Sequence, residues 1–152
     1  MDSTALAIEI AERVEVAEIR DRLRRDGRMW EDVDLERSCF LVCREAARRV
    51  GWVGLEIDGR GALLRSLFTD PGWRKLGIGR RLVDAAEGEA AALGATVMVL
   101  FSTGAGSYFR RLGYEEIPVR DALAAAPHTP QVLWYLARPH LLAEEVTYRK
   151  LL

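Results

Sequence analysis

The sequence predicts an α+β fold in three layers, a mixed and mostly antiparallel sheet with helices on both faces. Three observations predict it. Segments with apolar residues at helical spacing alternate with segments of strand character. Two of the helical segments lie between strands, where they act as crossovers. Ala95 to Phe101 (ATVMVLF) is an almost unbroken apolar run, the mark of a strand covered on both sides.

The elements follow in order. Ala5 to Ala11 (ALAIEIA) is a short apolar strand. Val14 to Asp26 places Val16, Ile19 and Leu23 on one helical face and charges on the rest, and Gly27 ends it. Arg28 to Arg37 is acidic and aperiodic, a loop or short helix. Three strands come next, Cys39 to Arg44, Val50 to Ile57 and Ala62 to Thr69. The turn Asp58-Gly59-Arg60-Gly61 joins the last two, and short links make the three a meander. After Asp70-Pro71-Gly72 the period becomes helical from about Gly79 to Leu93, with Gly94 as the stop. A second short helix, Ala105 to Leu112, ends at Gly113. Tyr114 to Arg120 reads as a strand interrupted by Pro118, Ala124 to Pro130 as a loop, and Val132 to Leu136 and Val146 to Leu152 as the last strands.

Composition narrows the function. A chain of 152 residues is the size of one domain. Lys plus Arg number 22 against 23 Asp plus Glu, a formal charge of -1, so the basic excess that phosphate neutralisation needs is missing. Nucleic acid and anionic membranes are therefore not expected partners. No apolar run approaches the roughly 20 residues of a membrane helix. Met1-Asp2-Ser3-Thr4 carries an acid where a secretory signal carries Lys or Arg, so the cytoplasm is the expected compartment. On one strand Cys39 and Cys43 would stand roughly 13 Å apart at about 3.3 Å per residue, too far to bridge. His128 and His140 have only Glu144 nearby, too few ligands for a metal, and none is expected.

The sharpest feature is Thr69-Asp-Pro-Gly-Trp-Arg-Lys-Leu-Gly-Ile-Gly-Arg-Arg81, where a strand passes through a glycine turn straight into a helix. A helix N-terminus offers unpaired N–H groups and the positive end of the dipole, and so attracts anions. Gly77 and Gly79 let a ligand approach the backbone, and Arg74, Lys75, Arg80 and Arg81 supply four cations. A diphosphate suits this site. The dinucleotide fingerprint fails because Leu82 stands where its third glycine belongs, and the P-loop pattern fails for want of G-K-[ST].

Arg74-Lys-Leu-Gly77-Ile-Gly79, preceded by Pro71 and followed by Leu82-Val83, resembles the acyl-CoA signature R-x-x-G-x-G of the GNAT family of N-acetyltransferases. Tyr108-Phe-Arg-Arg-Leu-Gly-Tyr114 resembles that family's second signature, at the family's usual separation. The resemblance covers about residues 50 to 120. It implies the acyl-CoA N-acyltransferase fold with its V-splayed sheet, acetyl-CoA as cofactor, and direct attack of a primary amine on the thioester. It implies that Lys75, Leu76, Gly77, Ile78, Gly79 and Arg80, with Arg74, hold the pyrophosphate. Leu67, Phe68 and Thr69 would then pair with the pantetheine arm and offer an N–H to the thioester carbonyl, with Ser102 and Tyr108 near its end. The family commonly places a Tyr before x-x-L-G; Phe109 holds that slot here, and Tyr108, one residue earlier, is the candidate acid. Ser102-Thr103 replaces the Asn often found at the start of that helix. Glu56 is the candidate base, acting through water.

Simple alternation places Leu63, Arg65, Leu67 and Thr69 on one face of their strand. A covered Arg65 needs a carboxylate. Closing the hairpin sets Glu56 opposite Leu63 and so diagonal to Arg65; the alternative partner is the carboxylate of an amino-acid-like acceptor, with Arg120 as a second contact. Ala62-Leu-Leu-Arg-Ser-Leu67, Arg111-Leu-Gly-Tyr114, Val119-Arg120 and Ala126-Pro-x-Thr129 resemble the arsenic-resistance-type branch of the family, which acts on α-amino-acid-like toxins. That branch often ends in Leu-Cys-Pro, where Leu133-Trp-Tyr stands here. Two other readings stay open. One is a non-catalytic acyl-CoA sensor, and the other acetylates protein or peptide amines in a groove lined by Glu31, Asp32, Asp34 and Glu36. Trp134, Tyr135 and the terminal strand offer a surface for a homodimer.

Overall fold

The computed structural model describes residues 6–152; Ala5, the expected start of the first strand, lies outside them. Among these residues seven strands form one sheet: β1 (Leu6–Ile10), β2 (Cys39–Glu45), β3 (Arg48–Asp58), β4 (Gly61–Thr69), β5 (Val97–Ser102), β6 (Glu115–Ile117) and β7 (Val146–Leu151). Their spatial order is β1-β2-β3-β4-β5-β7-β6, and only the β4–β5 pair is parallel. The helices are α1 (Arg13–Arg25), α2 (Ile78–Ala92), α3 (Gly106–Arg111), α4 (Val119–Ala125), α5 (Pro130–Leu136) and α6 (Pro139–Leu142). This is the mixed, helix-flanked sheet that the sequence predicts. No helix of the described residues is long and apolar enough to cross a membrane.

Helical stripes decide which face each helix covers. Ile78, Leu82, Val83, Ala86 and Ala90 of α2 share an apolar cluster with Leu41, Val53, Leu55, Leu64 and Met98. On the opposite face Val16, Ile19 and Leu23 of α1 pack with Phe40, Val42, Trp52 and Phe68. Leu63 and Val99 meet Ala122 of α4 and Val132 of α5.

Two expectations need correction at the C-terminal end. Tyr114 to Arg120 is not one strand: β6 stops at Ile117 because Pro118 has no N–H for the ladder, and its φ of -59° leads directly into α4. Val132 to Leu136 is helix, not strand. Pro130 takes the first helical position after Thr129, and Gln131, Val132 and Tyr135 bury one helical face. The run VLWYL is strand-like only by residue type.

A third correction concerns β4. Trp52 pairs with Phe68 and Gly54 with Arg65, so one residue of β3, Val53, faces two of β4, Ser66 and Leu67, and Ser66 sits at φ +55°. This bulge reverses the alternation. Phe68 joins Arg65's face, stacking on Trp52 with ring centroids 4.4 Å apart, while Leu67 turns to the α2 side with Leu64.

Helix α4 lies so close to the sheet that a Cβ on Gly61 would stand 1.8 Å from the Ala125 carbonyl oxygen. Gly61→Ala must push α4 away, and the expected loss is about 1–3 kcal/mol, as for other overpacking. Thermal unfolding of the variant checks this.

Candidate active site

Strands β4 and β5 pair only from Gly61↔Val97 to Leu64↔Leu100. Beyond Leu64 the bulge and the divergence of β5 leave that edge of β4 without a strand partner among the described residues. Three adjoining cavities occupy the opening and the surface beside it.

The first is a groove of about 390 Å³ between the end of β4 and the head of α2. Leu67, Phe68, Thr69, Arg74, Lys75, Gly77, Ile78, Gly79, Arg80 and Tyr108 all line it, so the geometry assembles most of the expected binding residues. Leu76 does not line it and is exposed in the turn. Lys75 (φ +66°) and Gly77 (φ +79°) both adopt left-handed backbone, which reverses the chain just before α2. The first α-helical bond is Arg81 N–H to Gly77 O, and among the described residues no N–H from Lys75 to Arg80 donates within the chain. Arg74 Nε donates to Thr69 O at 3.2 Å and ties the turn to β4. No acid stands in the first turn of α2. The result is a row of free donors at a positive helix end.

The second cavity, about 290 Å³, lies between the parted strands. Leu67 and Tyr108 border both it and the groove, and Ser102 borders this cavity rather than the groove. A Cβ on Gly79 would stand 2.6 Å from Tyr108 Oη, which fixes the phenol over the head of α2. Burial pushes the Tyr108 pKa up, against the pull of Arg111 and Arg80, so the hydroxyl keeps its proton at neutral pH. Phe109 is buried, edge-on to Tyr108 and Tyr114. The one-residue offset from the family's pattern thus leaves a tyrosine facing the groove.

The third cavity, about 320 Å³, continues from the second past Ser66 and Ser102. Met29, Gln131, Tyr135 and Glu145 form its far wall. Tyr135 Oη donates to Glu145 Oε1 at 2.8 Å. Arg28 borders all three cavities, and among the described residues it makes no ion pair; its guanidinium lies 5.8 Å from the Phe68 ring.

Arg65 and Glu56 are placed differently from the expectation. Arg65 grips Asp32 with both Nη atoms, its Nη2 donating to Oδ1 at 2.9 Å, and Nη1 also donates to Glu56 Oε2 at 3.2 Å. All three side chains have zero exposure. Glu56 further accepts Ser38 Oγ at 2.6 Å and the Gln131 N–H at 3.0 Å. Burial pushes its pKa up, and Arg65 pulls it down. Arg65 therefore has no free donor for an acceptor's carboxylate, and Glu56 no free oxygen for an amine. The internal pairing of Arg65 with Glu56 is present as expected, with Asp32 added. Arg120 is exposed on α4 and borders none of the three cavities.

Of the acidic loop, Glu31 borders a further cavity of about 370 Å³ with Trp30, Trp134 and Glu144, while the other three acids are engaged within the chain. Asp32 is spent on Arg65, Asp34 accepts the N–H groups of Glu36 and Arg37, and Glu36 pairs with Arg13. Among the described residues no group of three or more His, Cys, Asp or Glu side chains is placed to hold a metal. Cys39 and Cys43 are free thiols that border none of the three cavities, and burial pushes the pKa of both up.

Among the described residues a row of free amides thus lies beside an unpartnered strand edge, and two further cavities continue from it. A family model described as acetyltransferase (GNAT) domain matches residues 36–116, more than half of the chain. The protein belongs to the GNAT acetyltransferase family. Solved structures share its fold. N-acetylglutamate synthase from Neisseria gonorrhoeae, complexed with coenzyme A and N-acetyl-glutamate, is 15% identical with a TM-score of 0.70, over 96% of this chain and 35% of that one. The chain thus spans about a third of that synthase. Rv2747 from Mycobacterium tuberculosis, in complex with CoA, is 16% identical with a TM-score of 0.70, over 96% and 99% of the two chains. A GNAT-family acetyltransferase from Staphylococcus aureus is 19% identical with a TM-score of 0.66, over 95% and 99%. No curated protein sequence matches the chain.

Proposed function

We propose that the protein is an acetyl-CoA-dependent N-acetyltransferase acting on a small amino-acid-like amine by direct attack. The observation that carries this reading is the continuity of the three cavities, from the free amides at Lys75 to Arg80, past Tyr108, to the cavity that Glu145 borders. Those amides, with Arg74, Lys75 and Arg80, hold the diphosphate. The unpartnered edge from Leu67 to Thr69 pairs with the amide groups of the pantetheine arm, as an added strand would. A backbone N–H near Leu67 or Phe68 then faces the thioester carbonyl and stabilises the charge that develops there. Acetyl-CoA supplies the activated acetyl group.

Tyr108 returns a proton to the leaving thiolate. No acyl-enzyme is needed, and the absence of either cysteine from the three cavities supports attack by the amine itself. The size of the third chamber and its single unpaired cation support a small acceptor bearing a carboxylate. Arg28 takes the role expected of Arg65 and Arg120, because its planar fork is unspent. The bound N-acetyl-glutamate of the Neisseria synthase supports the same class of acceptor.

Calorimetric titration with coenzyme A and thiol release from acetyl-CoA test this reading. Saturable one-to-one binding is expected, with thiol release driven by free amino acids and weak with their amides. Absence of coenzyme A binding overturns it. So does binding with no acceptor among amino acids and basic peptides, which would make the protein a sensor.

A further inference from the structure

We propose that Glu145, held in place by Tyr135, is the catalytic base of this enzyme and that Gln131 receives the acceptor's amine beside it. The inference rests on the acetyltransferase reading and adds the half of the site which that reading leaves without residues. Glu56, the acid nearest the chemistry in the sequence, is enclosed and fully hydrogen-bonded. Among the side chains bordering the third cavity, Glu145 is the one carboxylate.

Its setting suits the task. Glu145 immediately precedes β7, whose first residue, Val146, pairs with Ser102 at the end of β5. The carboxylate therefore stands where β5 leaves β4, across the opening from Ser66. Tyr135 Oη holds Oε1, which leaves Oε2 without a partner in the described residues. Gln131 borders the same cavity, and its Oε1 is buried with no hydrogen-bond partner among the described residues. A buried acceptor left unpaired is costly, and an amine N–H is the group that satisfies it. Cation, carboxylate and amide thus border one cavity: Arg28 for the acceptor's carboxylate, and Glu145 with Gln131 for its ammonium.

The charged and titratable groups around Glu145 are Tyr135 on α5, the adjacent Glu144, and Arg28 and Glu31 on the loop after α1. Burial pushes the Glu145 pKa up; the Tyr135 hydrogen bond opposes this, and Glu144 adds to it. The residue is in this way a better proton acceptor than a surface glutamate.

The proton balance closes. The bound ammonium passes one proton to Glu145, which releases it to water. The neutral nitrogen forms the C–N bond to the acetyl carbon as the C–S bond breaks. The second nitrogen proton reaches the thiolate by way of Tyr108, so ammonium and thioester give amide, thiol and one released proton.

The test uses the full chain and the free amino acid that proves the best acceptor. Glu145→Gln is expected to lower kcat/KM for that amino acid about 100-fold at pH 7, the low end of general-base effects. The KM for acetyl-CoA should stay within about twofold of wild type. The deficit should shrink below about tenfold by pH 9.5, where much of the amine is already neutral and a base is less needed. A Glu145→Gln enzyme within threefold of wild type at pH 7, or a deficit unchanged across this pH range, overturns the assignment. In that event the amine-dependent activity of the wild type still stands for the acetyltransferase reading. A wild type that neither binds coenzyme A nor releases thiol overturns both. Should Glu145→Gln not fold, Gln131→Leu keeps the N–H that Glu56 needs and removes the free oxygen. An amine KM raised at least tenfold, with that for acetyl-CoA unmoved, then supports the site, and an unmoved amine KM overturns it.

Discussion

Arg65→Met is expected to remove about 3–5 kcal/mol of folding stability, the usual consequence of stranding buried partners of an ion cluster. At roughly 2–4 °C per kcal/mol for a chain of this size, that is a fall in Tm of about 10 °C. Methionine nearly fills the space, so the loss is electrostatic. Asp32 loses its bidentate partner and Glu56 its counter-charge, both at zero exposure. The pH dependence has a definite sign. Burial already raises the Glu56 pKa against the pull of Arg65, and deleting the guanidinium raises it further. A carboxyl whose folded pKa lies above its unfolded value of about 4.3 stabilises below that value and loses the contribution as pH climbs through the folded one. The deficit of Arg65→Met is therefore greatest at neutral pH and narrows toward pH 4. Urea denaturation at pH 7 and pH 4.5 measures it. The triple variant Asp32→Asn, Glu56→Gln, Arg65→Met should recover part of the loss, since removing a whole buried cluster costs less than breaking it. Wild-type stability of Arg65→Met at pH 7 would show that the cluster is not dry.

Gly79→Val is expected to weaken coenzyme A binding at least about 100-fold, or roughly 2.7 kcal/mol. A side chain here enters the groove where the first turn of α2 offers its amides, and its Cβ alone would lie 2.6 Å from Tyr108 Oη and 3.9 Å from Leu67 Cδ2. Tyr108 must swing away, so the phosphate donors are covered and the proton donor is displaced together. The fold should survive, because valine in a helix is no worse than glycine. Gly72→Ala is the control: nothing lies within 4 Å of its added Cβ, and binding should change less than twofold. Calorimetric titration decides, and an unchanged Kd for Gly79→Val would remove the head of α2 from the binding site.

The turn before α2 is legible in the sequence because its information is local. Gly77 and Gly79, four cations and a strand-to-helix junction all lie within thirteen residues. The pairing of Arg65 with Glu56 is legible for a different reason: a tight turn sets the register, and Glu56↔Leu63 is observed as the hairpin requires. The bulge at Ser66 is not legible, since ALLRSLFT alternates acceptably in either parity and the slip is decided by packing Phe68 on Trp52. Asp32, Gln131, Tyr135 and Glu145 carry no local signal. They stand in ordinary-looking loop and helix stretches up to 113 residues apart and meet only through tertiary packing. VLWYL misleads because its residue types favour strands, whereas Pro130 and the burial of 131, 132 and 135 make it helical.

The four-residue pairing of β4 with β5 has a mechanical meaning. Among the described residues it is the one parallel junction in the sheet and the place where β1 to β4 join β5 to β7. On the proposed function, a pantetheine paired with the Leu67 to Thr69 edge would lie beside this short junction and act as a stitch between the two parts of the sheet. On the same reading, a change that loosens this junction weakens the capture of coenzyme A.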